Sequence, residues 1–180
     1  LGSKIEIIRS GDVIPYIRSV ITPSEQPLMP NVPYIWNNTH VDILLENKND
    51  DENVRNKNIA GFFKGIDVDG LGDKNVNKIV DAGFDNVPKI IKMTKEQLLT
   101  IDGFKEKMAM KLHDGIEKKV KNASLSKIMA VSNMFGRGFS DKKIELILEE
   151  YPDILTSSDE SKTKIEKLSN VKGMASKTAE

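Results

Sequence analysis

Val68-Asp69-Gly70-Leu71-Gly72-Asp73-Lys74-Asn75-Val76 is the stretch whose reading decides the fold. Its form is h-x-G-h-G-x-x-x-h, where h is an apolar residue. The frame recurs at Ile101-Asp102-Gly103-Phe104-Lys105-Glu106-Lys107-Met108-Ala109. It recurs again at Gly136-Arg137-Gly138-Phe139-Ser140-Asp141-Lys142-Lys143-Ile144, with glycine in the first apolar slot, and at Val171-Lys172-Gly173-Met174-Ala175-Ser176-Lys177-Thr178-Ala179. The first glycines, Gly70, Gly103, Gly138 and Gly173, stand 33, 35 and 35 residues apart. So steady a period marks one supersecondary unit used four times.

The surroundings recur as well. Apolar residues at helical spacing precede each copy: Ile59, Phe62 and Phe63; Leu98 and Leu99; Ile128 and Val131; Ile165 and Leu168. Val76, Ile79 and Val80 follow the first, Ala109, Leu112 and Ile116 the second, and Ile144, Ile147 and Leu148 the third. The unit therefore reads as helix, tight hairpin, helix, then a short linking helix. The first glycine supplies a positive φ or a close backbone approach. Leu71, Phe104, Phe139 or Met174 plugs the space between the helices. The hairpin then delivers the chain into a helix N-terminus whose first amides have no intrahelical partner and which favours a phosphate oxygen. Lys74, Lys107, Lys142 and Lys177 fall in the first turn of that helix, within reach of the same backbone. Two such copies grip two strands across a minor groove, and contacts of this kind read no base edge. The first copy, Gly70-Leu71-Gly72, is the strongest. Lys105, Ser140 and Ala175 replace its second glycine in the others, and the fourth lacks most of its second helix.

Composition limits the chemistry. Of the 180 residues 27 are Lys or Arg and 27 Asp or Glu, so contact with nucleic acid has to come from local geometry rather than from a general positive field. There is no cysteine, which excludes disulfides, thiolate nucleophiles and cysteine-bearing zinc sites. His40 and His113 are the two histidines; neither reads as a metal ligand or an acid–base group. No apolar run is long enough to cross a membrane and no signal peptide opens the chain, which points to an intracellular soluble protein or part of one. The absence of an initiator methionine, the opening strand and a closing helix that has just begun suggest a fragment.

Residues 1–57 have another character, with six basic and eight acidic residues. Lys4–Arg9 and Val13–Ile17 read as strands around a Ser10-Gly11-Asp12 turn. Pro23, Pro27, Pro30 and Pro33 make residues 22–33 an extended linker. Tyr34–Trp36 and His40–Leu45 form a small hairpin. Trp36 caps a small core, Asp50-Asp51-Glu52 is a solvated loop, and Arg9 and Arg18 are candidate backbone contacts. Asp67, Asp69 and Asp73 crowd the strongest hairpin, so its amides rather than its net charge must attract a phosphate.

Gly61–Gly83 and Leu98–Ala109 resemble the helix–hairpin–helix domain of bacterial-type NAD-dependent DNA ligases, a family with four tandem motifs. Ile7-Ile8-Arg9-Ser10-Gly11-Asp12-Val13-Ile14-Pro15 independently resembles the end of that family's oligonucleotide-binding (OB) barrel, and the two matches stand in the family's order. The resemblance covers residues 4–21 and 58–180. It implies a mainly α fold in which four tandem motifs follow a small β segment from the end of an OB-fold barrel and a β-hairpin linker. The boundaries that follow are 1–21, barrel remnant; 22–57, linker; 58–180, helix–hairpin–helix domain with a truncated fourth motif. The family's four-cysteine zinc finger is missing, and the hairpin Tyr34–Leu45 stands in its place, which suits a divergent viral or phage enzyme.

The resemblance further implies that this part clamps double-stranded nicked DNA for an enzyme that seals nicks in replication and repair. The DNA-binding set is Gly70, Leu71, Gly72, Lys74, Gly103, Lys105, Lys107, Arg137, Gly138, Ser140, Lys142, Gly173 and Lys177. No Lys-x-Asp-Gly segment is present for adenylylation, so no catalytic residue or metal site is expected here. NAD and magnesium would serve the full-length enzyme, and the partners would be DNA and the missing adenylation and OB domains. A monomer in the cytoplasm or nucleoid, or in the host cytoplasm if viral, is expected. The other readings are a helix–hairpin–helix module of another repair or recombination protein, and a protein-interaction scaffold.

Overall fold

The computed structural model describes residues 2–11, 14–47, 51–136 and 138–179. The chain divides into two units, Leu1–Lys48 and Asn49–Glu180. In the first, alternating Ile and polar residues form β1 (Lys4–Ser10) and β2 (Ile14–Thr22), an antiparallel pair in which Ile7 faces Ile17 and Ile8 faces Tyr16. β1 thus pairs with the strand that follows it. Register shifts at Lys4/Ile5 and Glu6/Ile7 bend the ribbon, and Ser19 Oγ and Arg18 Nη1 hold the Glu6 carboxylate across it at 2.9 and 3.4 Å. The proline-rich stretch has no regular structure. β3 (Tyr34–Trp36) and β4 (Ile43–Leu45) form the expected second hairpin, pairing Trp36 with Ile43.

Asn37 organises the connection between β3 and β4. Its Oδ1 accepts from the Val41 and Asp42 amides and the Thr39 hydroxyl, while its Nδ2 donates to Asp42 Oδ2. An Asn side chain standing in for a backbone turn in this way closes a loop with no apolar support. None of the described residues 2–47 is buried. Trp36 accordingly caps no core; its ring is half-exposed, edge-on to Tyr34 and tilted against His40.

The second unit contains nine helices among the described residues: α1 (Glu52–Gly65), α2 (Asp73–Asp81), α3 (Val87–Ile91), α4 (Lys95–Leu99), α5 (Glu106–Asn122), α6 (Leu125–Val131), α7 (Asp141–Glu150), α8 (Ser161–Asn170) and α9 (Ser176–Ala179). None of the described helices is long and apolar enough to cross a membrane. α1 starts at Glu52, six residues before Asn58, where the periodicity becomes visible. The Asp51 carboxylate accepts from the Val54 amide at 2.9 Å and caps a first turn made almost wholly of polar residues. Asn56, one turn further on, is buried and donates from Nδ2 to Asn77 Oδ1 of α2. Asn86, a Thr94–Gln97 capping box and Ser124 start α3, α4 and α6.

Four helix pairs, α1/α2, α4/α5, α6/α7 and α8/α9, flank the four hairpins. A linking helix occurs only after the first pair, as α3; α5 runs into α6 through Ala123 and Ser124. The first two pairs share one core built on Phe63, Val76, Ile79, Ile90, Leu98 and Leu112, all fully enclosed. Each such side chain stabilises the fold by about 1.5–3 kcal/mol relative to exposure. α7, α8 and the fourth hairpin share a smaller core of Ile147, Ile154, Val171 and Met174, while Ile128 and Val131 of α6 pack against the first. Leu148 and Leu168 are only half-buried around it, and Ile165 of α8 is half-buried too. Leu99, at apolar spacing in sequence, is 46% exposed, because the five-residue α4 has room for one buried position and Leu98 takes it.

Two predictions follow from this packing. A Cβ on Gly65 would lie 2.3 Å from Val131 Cγ1, so α1 and α6 touch where only glycine fits. Gly65→Ala should lose about 1–3 kcal/mol in urea unfolding, the usual cost of overpacking, and Val131→Ala in the same chain should recover part of it. Asp159, before α8, is held at 2.5 Å by Lys167 and also by Ser157, and these hydrogen bonds depress its pKa below the ordinary aspartate value. Its contribution is present above the unfolded-state pKa and is lost as pH falls through the depressed folded value. An NMR titration of the Asp159 carboxyl should show that low midpoint, and Lys167→Gln should move it back toward the ordinary range.

Candidate nucleic-acid interface

All four first glycines have a left-handed backbone, with φ of +89° at Gly70, +80° at Gly103, +99° at Gly138 and +82° at Gly173. A residue with a Cβ is strained there. The next residue turns inward: Leu71, Phe104 and Met174 are buried, and Phe139 is half-buried. The residue after that supplies the carbonyl closing the first α-helical turn. Val76 N donates to Gly72 O, Ala109 N to Lys105 O, Ile144 N to Ser140 O and Ala179 N to Ala175 O.

This second slot has no need of glycine for its backbone. Gly72, Lys105 and Ser140 are extended, with φ of −81°, −89° and −79°. No atom lies within 4 Å of where a Cβ on Gly72 would be. Glycine there leaves the approach to the α2 N-terminus open, and neither Gly72 nor Lys105 caps its helix with a side chain. Ser140 does: its Oγ accepts from the Lys143 amide at 3.4 Å, placing an oxygen where an anionic oxygen would otherwise sit. Lys74, Lys107 and Lys142 are exposed at the second residue of α2, α5 and α7. Arg137 and the side chain of Lys177 lie outside the described residues, as does Asp50 of the acidic cluster.

The first two hairpins are brought together and the contacts are reciprocal. Gly70 approaches α5 so closely that a Cβ would lie 3.0 Å from Leu112 Cδ2. Lys78 of α2 donates to the carbonyl of Asp102, in the second hairpin, at 2.9 Å. Lys111 of α5 pairs with Asp69, in the first, at 3.8 Å. Lys78 and Lys111 each stand eight residues after their own hairpin's first glycine, and Asp102 and Asp69 each stand one before, so the exchange has an approximate two-fold relation. Sequence reasoning passed over both lysines; their shared offset in the repeat was the available signal. Between the hairpins lies an open cavity of about 460 Å³, with Gly70 and Gly103 at its wall and Lys105, Lys107 and Lys111 around it. Four sequence-predicted residues, Gly70, Gly103, Lys105 and Lys107, thus line one depression. Gly138, Ser140, Lys142 and Gly173 lie on the other hairpins and do not line it.

Asp69 is strongly exposed and leans on Lys111, so part of the negative charge beside the first hairpin is paired within the protein. His113 lies along α5 with Nδ1 at 3.2 Å from Asp114, which Lys95 also holds at 3.0 Å; these contacts depress the Asp114 pKa, Lys95 foremost. Among the described residues, no three His, Asp or Glu side chains come together in a way that could hold a metal ion.

A family model described as a SAM-like helix-hairpin-helix tandem matches residues 66–119, the first two hairpins with α2 to α5. The chain is 42% identical over 154 residues to a DNA ligase of Acanthamoeba polyphaga mimivirus, covering 86% of this chain and 24% of that protein. It is 36% identical over 109 residues to a DNA ligase of Desulfatibacillum aliphaticivorans, with 57% and 17% covered. It is 30% identical over 190 residues to a DNA ligase of Leuconostoc mesenteroides, with 97% and 27% covered. The matched part thus spans 17% to 27% of the length of these curated relatives.

The two glycines of the first hairpin should separate in mutagenesis. Gly70→Ala meets both a left-handed φ and Leu112, and should cost about 1–3 kcal/mol in chemical denaturation. Gly72→Ala, with ordinary φ and open space, should change stability by less than about 0.5 kcal/mol.

Proposed function

We propose that this chain, which carries a helix–hairpin–helix tandem related to those of bacterial and viral DNA ligases, holds duplex DNA without sequence preference through backbone contacts in the minor groove. The observation that carries the reading is the reciprocal pair of hairpins. The crests of both hairpins, Gly70 and Gly103, line one cavity with Lys105, Lys107 and Lys111 around it, and the helices that follow, α2 and α5, start without side-chain caps. A helix N-terminus offers free amides and a partial positive charge to a phosphate oxygen, and two related by an approximate two-fold suit the two strands of a duplex. The net charge of zero is no obstacle, since the attraction comes from these local groups.

On this reading the chain is the DNA-clamping part of an NAD-dependent DNA ligase that seals nicks in replication and repair. The first two hairpins make the principal contacts. The third, whose helix end already faces the Ser140 hydroxyl, contributes less through its amides. The β1–β2 ribbon exposes apolar residues on both faces, including Ile7, Ile14, Tyr16 and Ile17, which supports its assignment to a larger sheet such as an OB barrel. The β3–β4 hairpin, closed by Asn37, occupies the place of the family's zinc finger. NAD and magnesium belong to the proposed whole enzyme. The sequence offers no Lys-x-Asp-Gly segment, and the roles proposed for this part are contacts with DNA.

Fluorescence anisotropy with nicked, continuous and single-stranded DNA at two salt concentrations tests the reading. Duplex binding should weaken steeply with salt and differ little between sequences. Replacing Lys105, Lys107 and Lys111 together by Gln should weaken binding and lower the salt slope by about 2–3, roughly one per lost phosphate contact. Absence of duplex binding at low salt would remove autonomous DNA recognition.

A further inference from the structure

We infer that the third hairpin carries an apolar wedge, Met134 and Phe135, that enters the base stack of the bound duplex at the nick; the inference rests on the reading of duplex binding above. In the other three copies the residue two positions before the first glycine is apolar and buried: Val68, Ile101 and Val171. In the third copy that slot is Gly136, with φ of +78°. Beside this glycine two apolar residues face outward. Met134 is 84% exposed and Phe135 40%.

The tip is nonetheless held in place. Asn133, left-handed at φ +56°, donates from Nδ2 to Asn58 Oδ1 of α1 at 3.2 Å. Ser132 Oγ donates to Met129 O and accepts from Met134 N. The Phe135 ring stands 6.2 Å from that of Phe139, which packs on the smaller core. The root of the hairpin is thereby tied to α1, which belongs to the unit carrying the first hairpin.

Charge decides the occupant. The sequence from Lys127 to Lys143 contains Lys127, Arg137, Lys142 and Lys143 against the one acid Asp141. An apolar pair in a basic setting matches a nucleic acid, whose backbone attracts the charges while its base stack accepts the side chains. Met and Phe are residue types that serve as wedges between base steps. A nick is the point of lowest resistance, because one strand has no covalent continuity there.

The test places 2-aminopurine beside the nick of one duplex and at the same position in a continuous one, and uses the whole chain. Wild type should raise the fluorescence of the nicked duplex several-fold on binding. Met134→Ser/Phe135→Ser should abolish the rise and weaken nicked-duplex binding about tenfold, while continuous-duplex affinity changes less than about twofold. Phe135→Trp should retain the rise. Both sites are exposed, so thermal melting followed by circular dichroism should match wild type. Equal fluorescence and affinity in the double Ser variant would overturn the wedge alone and leave DNA binding intact. Absence of duplex binding by wild type would overturn both. A wild-type dimer in sedimentation that the double variant loses would instead assign the tip to a second copy of the chain.

Discussion

Every hairpin of this protein depends on one backbone constraint, a left-handed residue at its crest. The positive φ at Gly70, Gly103, Gly138 and Gly173 reverses the chain so tightly that the next side chain points between the helices. Two residues later the chain enters a helix. A Cβ would strain the crest, and at Gly70 it would also press on Leu112 of α5. The same glycine therefore sets the turn, seats the plug residue and brings a neighbouring helix close. The exposed helix N-terminus is a consequence of this geometry.

The repeat acquires a second level through pairing. A single hairpin with two short helices cannot enclose its apolar residues, so copies one and two close one core, with α6 packed against it, and α7, α8 and the fourth hairpin close another. The pairing differs in quality. The first core encloses several large side chains completely, whereas α8 has no buried residue and the second core rests on four. The strong pair is also the one whose second slots leave the helix ends uncapped. Packing and site are thus aligned: the rigid core fixes two amide clusters relative to each other, and Lys78 and Lys111 reach across the approximate two-fold.

Much of this was legible in the residues. The recurrent frame located all four hairpins, and the apolar spacing identified Phe63, Val76, Ile79, Leu98, Ala109, Leu112, Ile116, Ile144 and Ile147 as core. The hairpin Tyr34–Leu45 was readable from its turn composition. Other features were masked. The start of α1 is written in polar residues capped by Asp51, so hydrophobic periodicity is silent there. Leu99 was misplaced because α4 is too short to sustain a full apolar face. The second slot varies in residue type, and the ordinary φ at Gly72, Lys105 and Ser140, visible only in the structure, shows that its backbone does not need glycine.

By itself the sequence determined the repeat, its period and the crest of each turn, because a left-handed φ and a plug residue demand particular residue types at fixed spacing. Tertiary structure alone decided which copies join. The exchange of Lys78 to Asp102 and Lys111 to Asp69 unites residues 24 and 42 positions apart, each pair joining a helix to the other hairpin, and their approach depends on how the core closes. It also decided that Met134 and Phe135 stand outward beside Gly136, whose slot in the other copies holds the buried Val68, Ile101 and Val171. Local preference is carried by residue identity and can be read in order along the chain. Contact between distant segments depends on where their shared core leaves room.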